Sequence, residues 1–221
     1  MIIAIDGPAG SGKSTVARIV ANKLQIVHIE SGAMYRAVAW RSLQEGVDLS
    51  DENAVAGVAQ KINTTFVPGP DGQSVLVAGD EVTRLLKEEA ISRAAAMVAA
   101  QPGVRDVLTV KQRELGVNGN LVMDGRDIGT VVFPQADKKI FLDADPGERG
   151  KRRYLELKAK NQDVDLNTII EEVKKRDYED RNRTISPLKP AEDAIQLDTT
   201  HLQINEVVDE VMRLIQSPPA A

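Results

Sequence analysis

Short apolar runs alternate along the chain with longer stretches in which apolar residues recur every three or four positions. Runs with the length and boundaries of buried strands lie at 2–5, 25–29, 120–124, 139–143 and 194–198. Helical spacing is found at 16–24, 33–45, 104–115, 145–160, 165–181 and 204–215. This alternation predicts an α/β fold, a doubly wound parallel sheet with helices on both faces.

The pattern changes between Ile62 and Val82. Two β-rich runs, 63–67 and 73–77, are separated by the turn sequence Pro-Gly-Pro-Asp-Gly. We expect a small antiparallel insert here, followed by a helix over 83–100. A helix that begins after an N-cap at Ser50 is predicted to precede it. The Pro-Pro-Ala-Ala tail is the one stretch expected to be disordered.

The first predicted strand continues into GPAGSGKST, which matches G-x-x-x-x-G-K-[ST] at every fixed position and precedes a helix. In this order, backbone N–H groups and a helix N-terminus converge on phosphate oxygens. Lys13 can reach the outer phosphates, and the Ser14 hydroxyl can ligate Mg²⁺. An ordinary glycine-rich turn is the alternative. The loop predicts a nucleoside triphosphate site made of Gly7, Pro8, Ala9, Gly10, Ser11, Gly12, Lys13, Ser14 and Thr15.

Other polar residues are expected at the same edge of the sheet, because ligands bind at the carboxyl ends of parallel strands. Asp6, Asp124 and Asp127 follow strands. Each could orient Mg²⁺, directly or through water, or hydrogen-bond a nucleoside. Each could equally be a turn or capping aspartate. The sequence leaves these roles open.

Arginines are distributed in a way that suggests a second anion site. They follow predicted strands or cluster late in the chain, at Arg36, Arg126, Arg176, Arg181 and Arg183. The planar guanidinium group is suited to phosphate. Brought together, these side chains would bind a second phosphorylated substrate, although a solvated surface arginine is the alternative for each.

The amino-acid composition limits the classes of partner that this protein can bind. The net charge of −5, from 28 basic and 33 acidic residues, argues against nucleic acid or an anionic membrane as a general partner. The absence of cysteine excludes disulfides and thiolate chemistry. No stretch has the length of a membrane span, and the first residues lack a signal peptide's charged region. A cytoplasmic protein is expected.

Six segments together resemble bacterial cytidylate kinases, the (d)CMP kinases of the nucleoside monophosphate kinase group. They are GPAGSGKST, SGAMYR, PGVRDVLTVKQREL, DGRDIGTVVFP, KIFLDA and RDYEDRNRTISPL. The resemblance spans nearly the whole chain and implies Mg²⁺-dependent phosphoryl transfer from ATP to CMP or dCMP by a monomer. It also implies a P-loop core at 1–30, 101–144 and 188–221, a nucleotide-binding insert at 31–100 and a lid at 145–187.

The resemblance also assigns roles to residues. The substrate-binding residues it implies are Ser31, Arg36 and Arg126 at the monophosphate, Arg105 and Asp127 at cytosine, and Arg176, Asp180 and Arg183 at the ribose or phosphates. The catalytic residues are Lys13, Arg126, Arg149, Arg153 and Arg183, with Arg152 also in the lid. The Mg²⁺ ligand is Ser14, with Asp124 through water. Where the family often has a serine near cytosine, this chain has Ala96, and the lost contact, worth about 1 kcal/mol, weakens the expected preference for CMP over UMP.

Two other classes of P-loop protein were weighed against this hypothesis. A regulatory GTPase should carry an N-K-x-D motif after a later strand, and the sequence has none. A kinase of another small molecule, such as shikimate or a deoxynucleoside, shares the loop. The arginine-rich late segment and the β-rich insert both disfavour it.

Overall fold

The computed structural model describes residues 1–69, 72–159 and 161–216. The strands, in chain order, are β1 (Ile2–Asp6), β2 (Val27–Glu30), β3 (Thr64–Gly69), β4 (Gly72–Val77), β5 (Asp80–Glu81), β6 (Leu121–Gly125), β7 (Lys138–Asp143) and β8 (Ile195–Asp198). The helices are α1 (Lys13–Leu24), α2 (Ser31–Gln44), α3 (Glu52–Lys61), α4 (Glu89–Ala99), α5 (Pro102–Leu115), α6 (Pro146–Ala159), α7 (Leu166–Arg181) and α8 (Ile204–Gln216).

The main sheet has five strands in the order β2-β6-β1-β7-β8, and the pairs β1–β7 and β7–β8 are parallel. The non-consecutive order requires helical crossovers, as the alternating pattern predicted. The predicted α/β class is therefore confirmed.

Internal contacts divide the chain into two compact units. One consists of Met1–Ile26 with the chain from Val122 onward, and the other consists of Val27–Leu121.

The first unit has a core formed by strands and by helices α1 and α8. Ile3 and Ile5 of β1 are fully buried and belong to the same apolar cluster as Val16 and Val20 of α1 and Val211 of α8. The helices α6 and α7 pack against each other in this unit. Burial of the β1 run places the end of that strand, and the loop after it, on a rigid support.

The second unit has its own core, built from α2 to α5 and a three-stranded antiparallel sheet in the order β3-β4-β5. The predicted insert is present, with β5 added. Central residues 70 and 71 of its predicted turn lie outside the described residues, as do 160 and the predicted disordered tail. Helix α5 buries Val104 and Leu108 in this core, so contacts group it with the insert, whereas the sequence assigned 101–115 to the P-loop core.

Three predicted helix starts need correction. Helix α2 begins at Ser31 rather than Ala33, directly after the extended Glu30. The N-cap of α3 is Asp51, whose Oδ1 accepts from Ala54 N at 3.0 Å, and the predicted cap Ser50 instead donates its hydroxyl to Asp48. The helix predicted from 83 begins at Glu89, after a 3₁₀ turn at Leu85–Lys87. Cap chemistry decides the α3 boundary, where the neighbouring Ser50 and Asp51 compete for it. Helices α2 and α4 begin without a side-chain cap.

Within the described ranges, no helix combines the length and apolar character needed to span a bilayer.

Candidate active site

The glycine-rich loop joins the end of β1 to the start of α1. At Gly7 the backbone passes so close to β7 that a Cβ atom would lie 2.1 Å from the Leu142 carbonyl oxygen. Gly10 and Gly12 adopt φ values of 76° and 83°, in the left-handed region that favours glycine. Gly12 is the N-cap of α1 and makes no side-chain cap. The sequence thus folds into a backbone cradle at a helix N-terminus, which is a site for phosphate.

Two side chains of this loop, Lys13 and Ser14, were predicted to contact phosphate and Mg²⁺. The Lys13 ammonium group is buried and donates to the Pro8 carbonyl oxygen at 3.0 Å, so the lysine folds back over the loop. The Ser14 hydroxyl donates to Asp124 Oδ2 at 2.6 Å. The hydroxyl of Ser11 is buried and has no hydrogen-bond partner among the described residues. The paired oxygens of Ser14 and Asp124 fit a Mg²⁺ ion, and the Ser11 hydroxyl is a donor that fits a nucleotide phosphate.

Asp6, the last residue of β1, lies beneath the loop and contacts the turn after β6. Its Oδ1 accepts from Ile128 N at 2.8 Å, and its Oδ2 accepts from Gly129 N at 2.7 Å. Burial raises the pKa of this carboxyl to about 7, and the neighbouring Asp127 adds to the rise, although the two backbone hydrogen bonds and Lys13 oppose it.

An arginine–aspartate cluster occupies the same unit. Arg126 Nε donates to Asp180 Oδ2 at 2.9 Å, and Arg183 Nη2 lies 3.6 Å from Asp180 Oδ1. Burial alone would raise the pKa of Asp180, but the charges of Arg126, Arg183 and Arg176 outweigh it and hold that pKa below its ordinary value. The structure therefore brings together four of the predicted substrate-binding residues, three arginines around the Asp180 carboxylate.

Arg149 is more deeply buried than a lid arginine would need to be, with 1 % of its surface exposed. Its guanidinium group binds both carboxylate oxygens of Asp177, the Ala144 carbonyl oxygen at 2.8 Å and the Ala9 carbonyl oxygen at 2.9 Å. Ala9 belongs to the glycine-rich loop. Arg149 thus ties that loop to α6 and α7.

The other two lid arginines occupy different surroundings. Arg152 donates to the Thr199 carbonyl oxygen at 2.7 Å, after β8. Arg153 is partly buried and lies 3.3 Å from Glu156 Oε2, one helical turn later. The contact with Glu156 is local to helix α6.

The second unit carries the remaining predicted residues, on α2 and α5. Ser31 is buried in the first turn of α2. Arg36, one turn later, donates from Nη2 to Glu30 Oε1 at 2.7 Å. Its Nε is buried and has no hydrogen-bond partner among the described residues. Gly32 makes room for this guanidinium group, since a Cβ there would lie 3.3 Å from Arg36 Nη1. An arginine folded across a helix N-terminus is suited to a phosphate group.

Arg105 of α5 lies in the core of this unit, with 3 % of its surface exposed. It donates from Nη1 to the Ala99 carbonyl oxygen at 3.0 Å, and its guanidinium carbon lies 5.3 Å from the Tyr35 ring centroid. A cation–π contact of this kind holds the guanidinium plane in a defined orientation.

Two carboxylates in these contacts, Glu30 and Asp177, were not singled out by the sequence reasoning. Asp6 was left open between a ligand of Mg²⁺ or a nucleoside and a turn or capping aspartate, and its hydrogen bonds to Ile128 N and Gly129 N match the second alternative. All three bind groups that support the predicted site. The available signal was weak: Glu30 directly follows a strand, and Asp177 shares the RDYEDR run with Asp180.

This strand–loop–helix unit, set in a parallel sheet with a phosphate cradle, defines a P-loop kinase. A shikimate kinase from Bacteroides thetaiotaomicron has a similar fold, with a TM-score of 0.50 at 13% identity, covering 98% of this chain and 99% of that one. The chain belongs to the cytidylate kinase family, whose model matches residues 3–217. It is 49% identical to the cytidylate kinase of Carboxydothermus hydrogenoformans, over 97% of both chains. It is 47% identical to that of Bacillus velezensis, over 97% of this chain and 96% of the relative.

Proposed function

We propose that this protein transfers the γ-phosphoryl group of ATP to CMP or dCMP, giving ADP and CDP or dCDP. The observation that carries the proposal is the pairing, in one unit, of a phosphate cradle with the Arg126–Asp180–Arg183 cluster. Membership of the cytidylate kinase family supports the choice of acceptor. Phosphoryl transfer needs mainly positioning and charge neutralisation, which a cradle and several arginines can supply.

The glycine-rich loop binds the phosphoryl donor, ATP. Its backbone N–H groups bind the ATP phosphates, and Lys13 leaves the Pro8 carbonyl oxygen to contact the outer phosphates. Ser14 would hold Mg²⁺ as the protein's ligand, with Asp124 orienting the Ser14 hydroxyl through the observed hydrogen bond and holding the ion through water. When bound, Mg²⁺ neutralises charge on the phosphates and orients them for attack.

The acceptor half follows the assignments that the family resemblance implies. Ser31 and Arg36 bind the monophosphate, and Arg126 assists them. Arg105 and Asp127 hydrogen-bond the edge of the cytosine ring, whose donor and acceptor pattern differs from that of uracil at the 4-position. The ribose and phosphates are bound by Arg176, Asp180 and Arg183.

The lid, assigned to 145–187, supplies positive charge during transfer. Arg153 and Arg183 neutralise the transferring group, as the family resemblance implies. Arg149 was predicted to act in the same way. Its four hydrogen bonds favour a different task, in which it holds the Ala9 carbonyl and so keeps the loop in its binding conformation. Closure of the lid would exclude water, which otherwise competes with CMP for the phosphoryl group.

The remaining assignments follow the family resemblance. We propose that the insert at 31–100 binds the nucleoside monophosphate and that the enzyme acts as a cytoplasmic monomer on free nucleotides.

A coupled assay of ADP release tests the proposed function. CMP, dCMP, UMP, AMP and GMP are compared as acceptors under identical conditions. We expect turnover with CMP and dCMP, weaker turnover with UMP, and little with the purine nucleotides. Comparable turnover with AMP, or none with CMP, would overturn the proposal.

A further inference from the structure

The Asp6 carboxylate joins two segments that are 122 residues apart. It ends β1 one residue before the glycine-rich loop, and its two oxygens accept the backbone N–H groups of Ile128 and Gly129 at 2.8 and 2.7 Å. Only 5 % of its surface is exposed. The turn that it binds follows β6 and carries Arg126 and Asp127. Asp6 therefore fixes that turn to the strand that leads into the loop.

Gly129 of this turn also lies close to a second side chain. A Cβ atom on Gly129 would lie 3.2 Å from the Lys139 side chain and 3.4 Å from Asp6 Oδ2. Lys139 is itself held, because its ammonium group donates to the Pro134 carbonyl oxygen at 2.6 Å and to Asp193 at 2.8 Å. The turn backbone is thus packed against both a carboxylate and a buried lysine stem.

The geometry argues against a direct ligand role for Asp6. Each carboxylate oxygen already accepts a backbone N–H group, and the carboxylate that meets the Ser14 hydroxyl is Asp124. Burying a carboxylate to bind two N–H groups also costs free energy, because its charge is desolvated. The charged groups that face it are Lys13, which favours the ionised form, and Asp127, which disfavours it.

We propose that Asp6 is a positioning residue for phosphoryl transfer, which holds the 126–129 turn so that Arg126 and Asp127 meet the acceptor nucleotide in a fixed orientation. This inference rests on the roles proposed above for those two residues. It predicts that loss of the carboxylate harms use of the acceptor far more than binding of the donor. A carboxylate with a purely structural role would harm both equally, through loss of folded protein.

The test is the variant Asp6→Asn, which keeps the shape of the side chain but presents an amide N–H to one of the two backbone donors. We expect kcat/KM for CMP to fall about tenfold or more, because small displacements of positioning groups are costly in rate. The Kd of ATP, measured without CMP, should stay within about twofold. The ratio of CMP to UMP turnover should also fall, since Asp127 is the proposed base-reading residue.

Three further variants separate positioning from instability. Gly129→Ala adds a Cβ 3.2 Å from the Lys139 side chain and 3.4 Å from Asp6 Oδ2, which should displace the turn from Asp6 and reproduce the same selective loss. Asp51→Asn is the matched control, because it replaces a carboxylate that also accepts a backbone N–H, at the start of α3. No predicted site residue lies there, so kcat/KM and the Kd of ATP should stay unchanged. The double variant of Asp6→Asn with Arg126→Ala should show less than the product of the two single losses.

The outcomes distinguish this inference from the proposed function. If the wild-type protein does not phosphorylate CMP, the proposed function is wrong. If the wild-type protein is active and both Asp6→Asn and Gly129→Ala keep kcat/KM for CMP within twofold, only the positioning role is wrong. Equal losses in ATP affinity and CMP use, or losses that simply multiply with Arg126→Ala, would also overturn it.

Discussion

The buried carboxyl of Asp6 should make the stability of this protein depend on pH in a way that Asp6→Asn removes. Its pKa is raised from 3.8 to about 7, mainly by burial. For a carboxyl with a raised pKa in the folded state, the stabilising contribution is present below the unfolded pKa and is lost as pH rises through the folded pKa. Between pH 4.5 and 8, this ionisation should cost the wild type about 3 kcal/mol of unfolding free energy, at about 1.4 kcal/mol per pKa unit.

Asparagine cannot ionise, so the variant avoids that cost, but it leaves one backbone N–H without an acceptor, a loss of about 1–3 kcal/mol at any pH. We therefore expect Asp6→Asn to be less stable than the wild type at pH 4.5 and close to it at pH 8. For a protein of this size, the difference in Tm between the two proteins should change by about 6–12 °C across that range. Carboxyls that do not face Asp6 behave alike in both proteins and cancel in the difference.

The assay is thermal unfolding of both proteins at several pH values, checked by denaturant titration at the two extremes. The same measurements on Asp51→Asn, an Asp-to-Asn change at an exposed helix cap, serve as the control. If the difference between Asp6→Asn and the wild type does not change with pH, burial does not raise the pKa of Asp6 and the reasoning is wrong. If the variant instead becomes less stable relative to the wild type as pH rises, the sign of the reasoning is wrong.

Four other substitutions test the site. Lys13→Ala should abolish turnover, because the outer phosphates lose their cation, while Tm stays within a few degrees; near-normal kcat would contradict its role. Arg126→Ala should lower kcat/KM for CMP far more than ATP affinity, and equal damage to both would count against its placement. Asp177→Ala should destabilise the fold by about 3–5 kcal/mol in chemical denaturation, since it leaves the Arg149 charge buried and unpaired; a loss below 1 kcal/mol would refute this. Gly7→Ala should unfold the loop region or prevent ATP binding, measured by calorimetry, because its Cβ would overlap a β7 carbonyl oxygen.

Much of the fold could be predicted because its determinants are local. The apolar runs that form β1, β6 and β7 are too short for helices, and the helical stretches between them have the right period. The glycine-rich loop is equally local: Gly7, Gly10 and Gly12 are required by close approach and by left-handed φ values in the same short segment. These features need no knowledge of distant partners.

Helix boundaries and helix packing were harder to predict, because they depend on competition between neighbouring residues and elements. Ser50 and Asp51 are both good caps, and the structure chooses Asp51 because Ser50 is occupied by Asp48. Helix α5 follows the predicted insert and was assigned to the core, yet Val104 and Leu108 find their apolar partners among α2 to α4. Local pattern shows that a helix has an apolar face, but not which core that face joins.

The supporting residues of the site were beyond sequence reasoning for a further reason. Asp6 with Gly129, and Arg149 with Asp177, are pairs separated by 123 and 28 residues. Nothing in the local pattern of either partner identifies the other. The types of residue were visible, as aspartates after strands and arginines after turns, but their pairing is a product of the tertiary structure.

The arginine–carboxylate pairs explain how a protein of net negative charge can bind polyanions. Arg36, Arg126 and Arg149 each have a carboxylate partner within the same unit: Glu30, Asp180 and Asp177. A carboxylate restricts the rotamers of its arginine, so less side-chain entropy is lost when phosphate binds, but it also competes with phosphate for the same donors. For Arg36 and Arg126 the pair is partly exposed, so the competition is screened by solvent and the guanidinium group can turn toward a ligand. For Arg149 the pair is buried and its donors also bind loop carbonyls, so the partner fixes the arginine as part of the scaffold. The exposure of each carboxylate pair thus separates the arginines expected to bind nucleotide from the one expected to hold the loop.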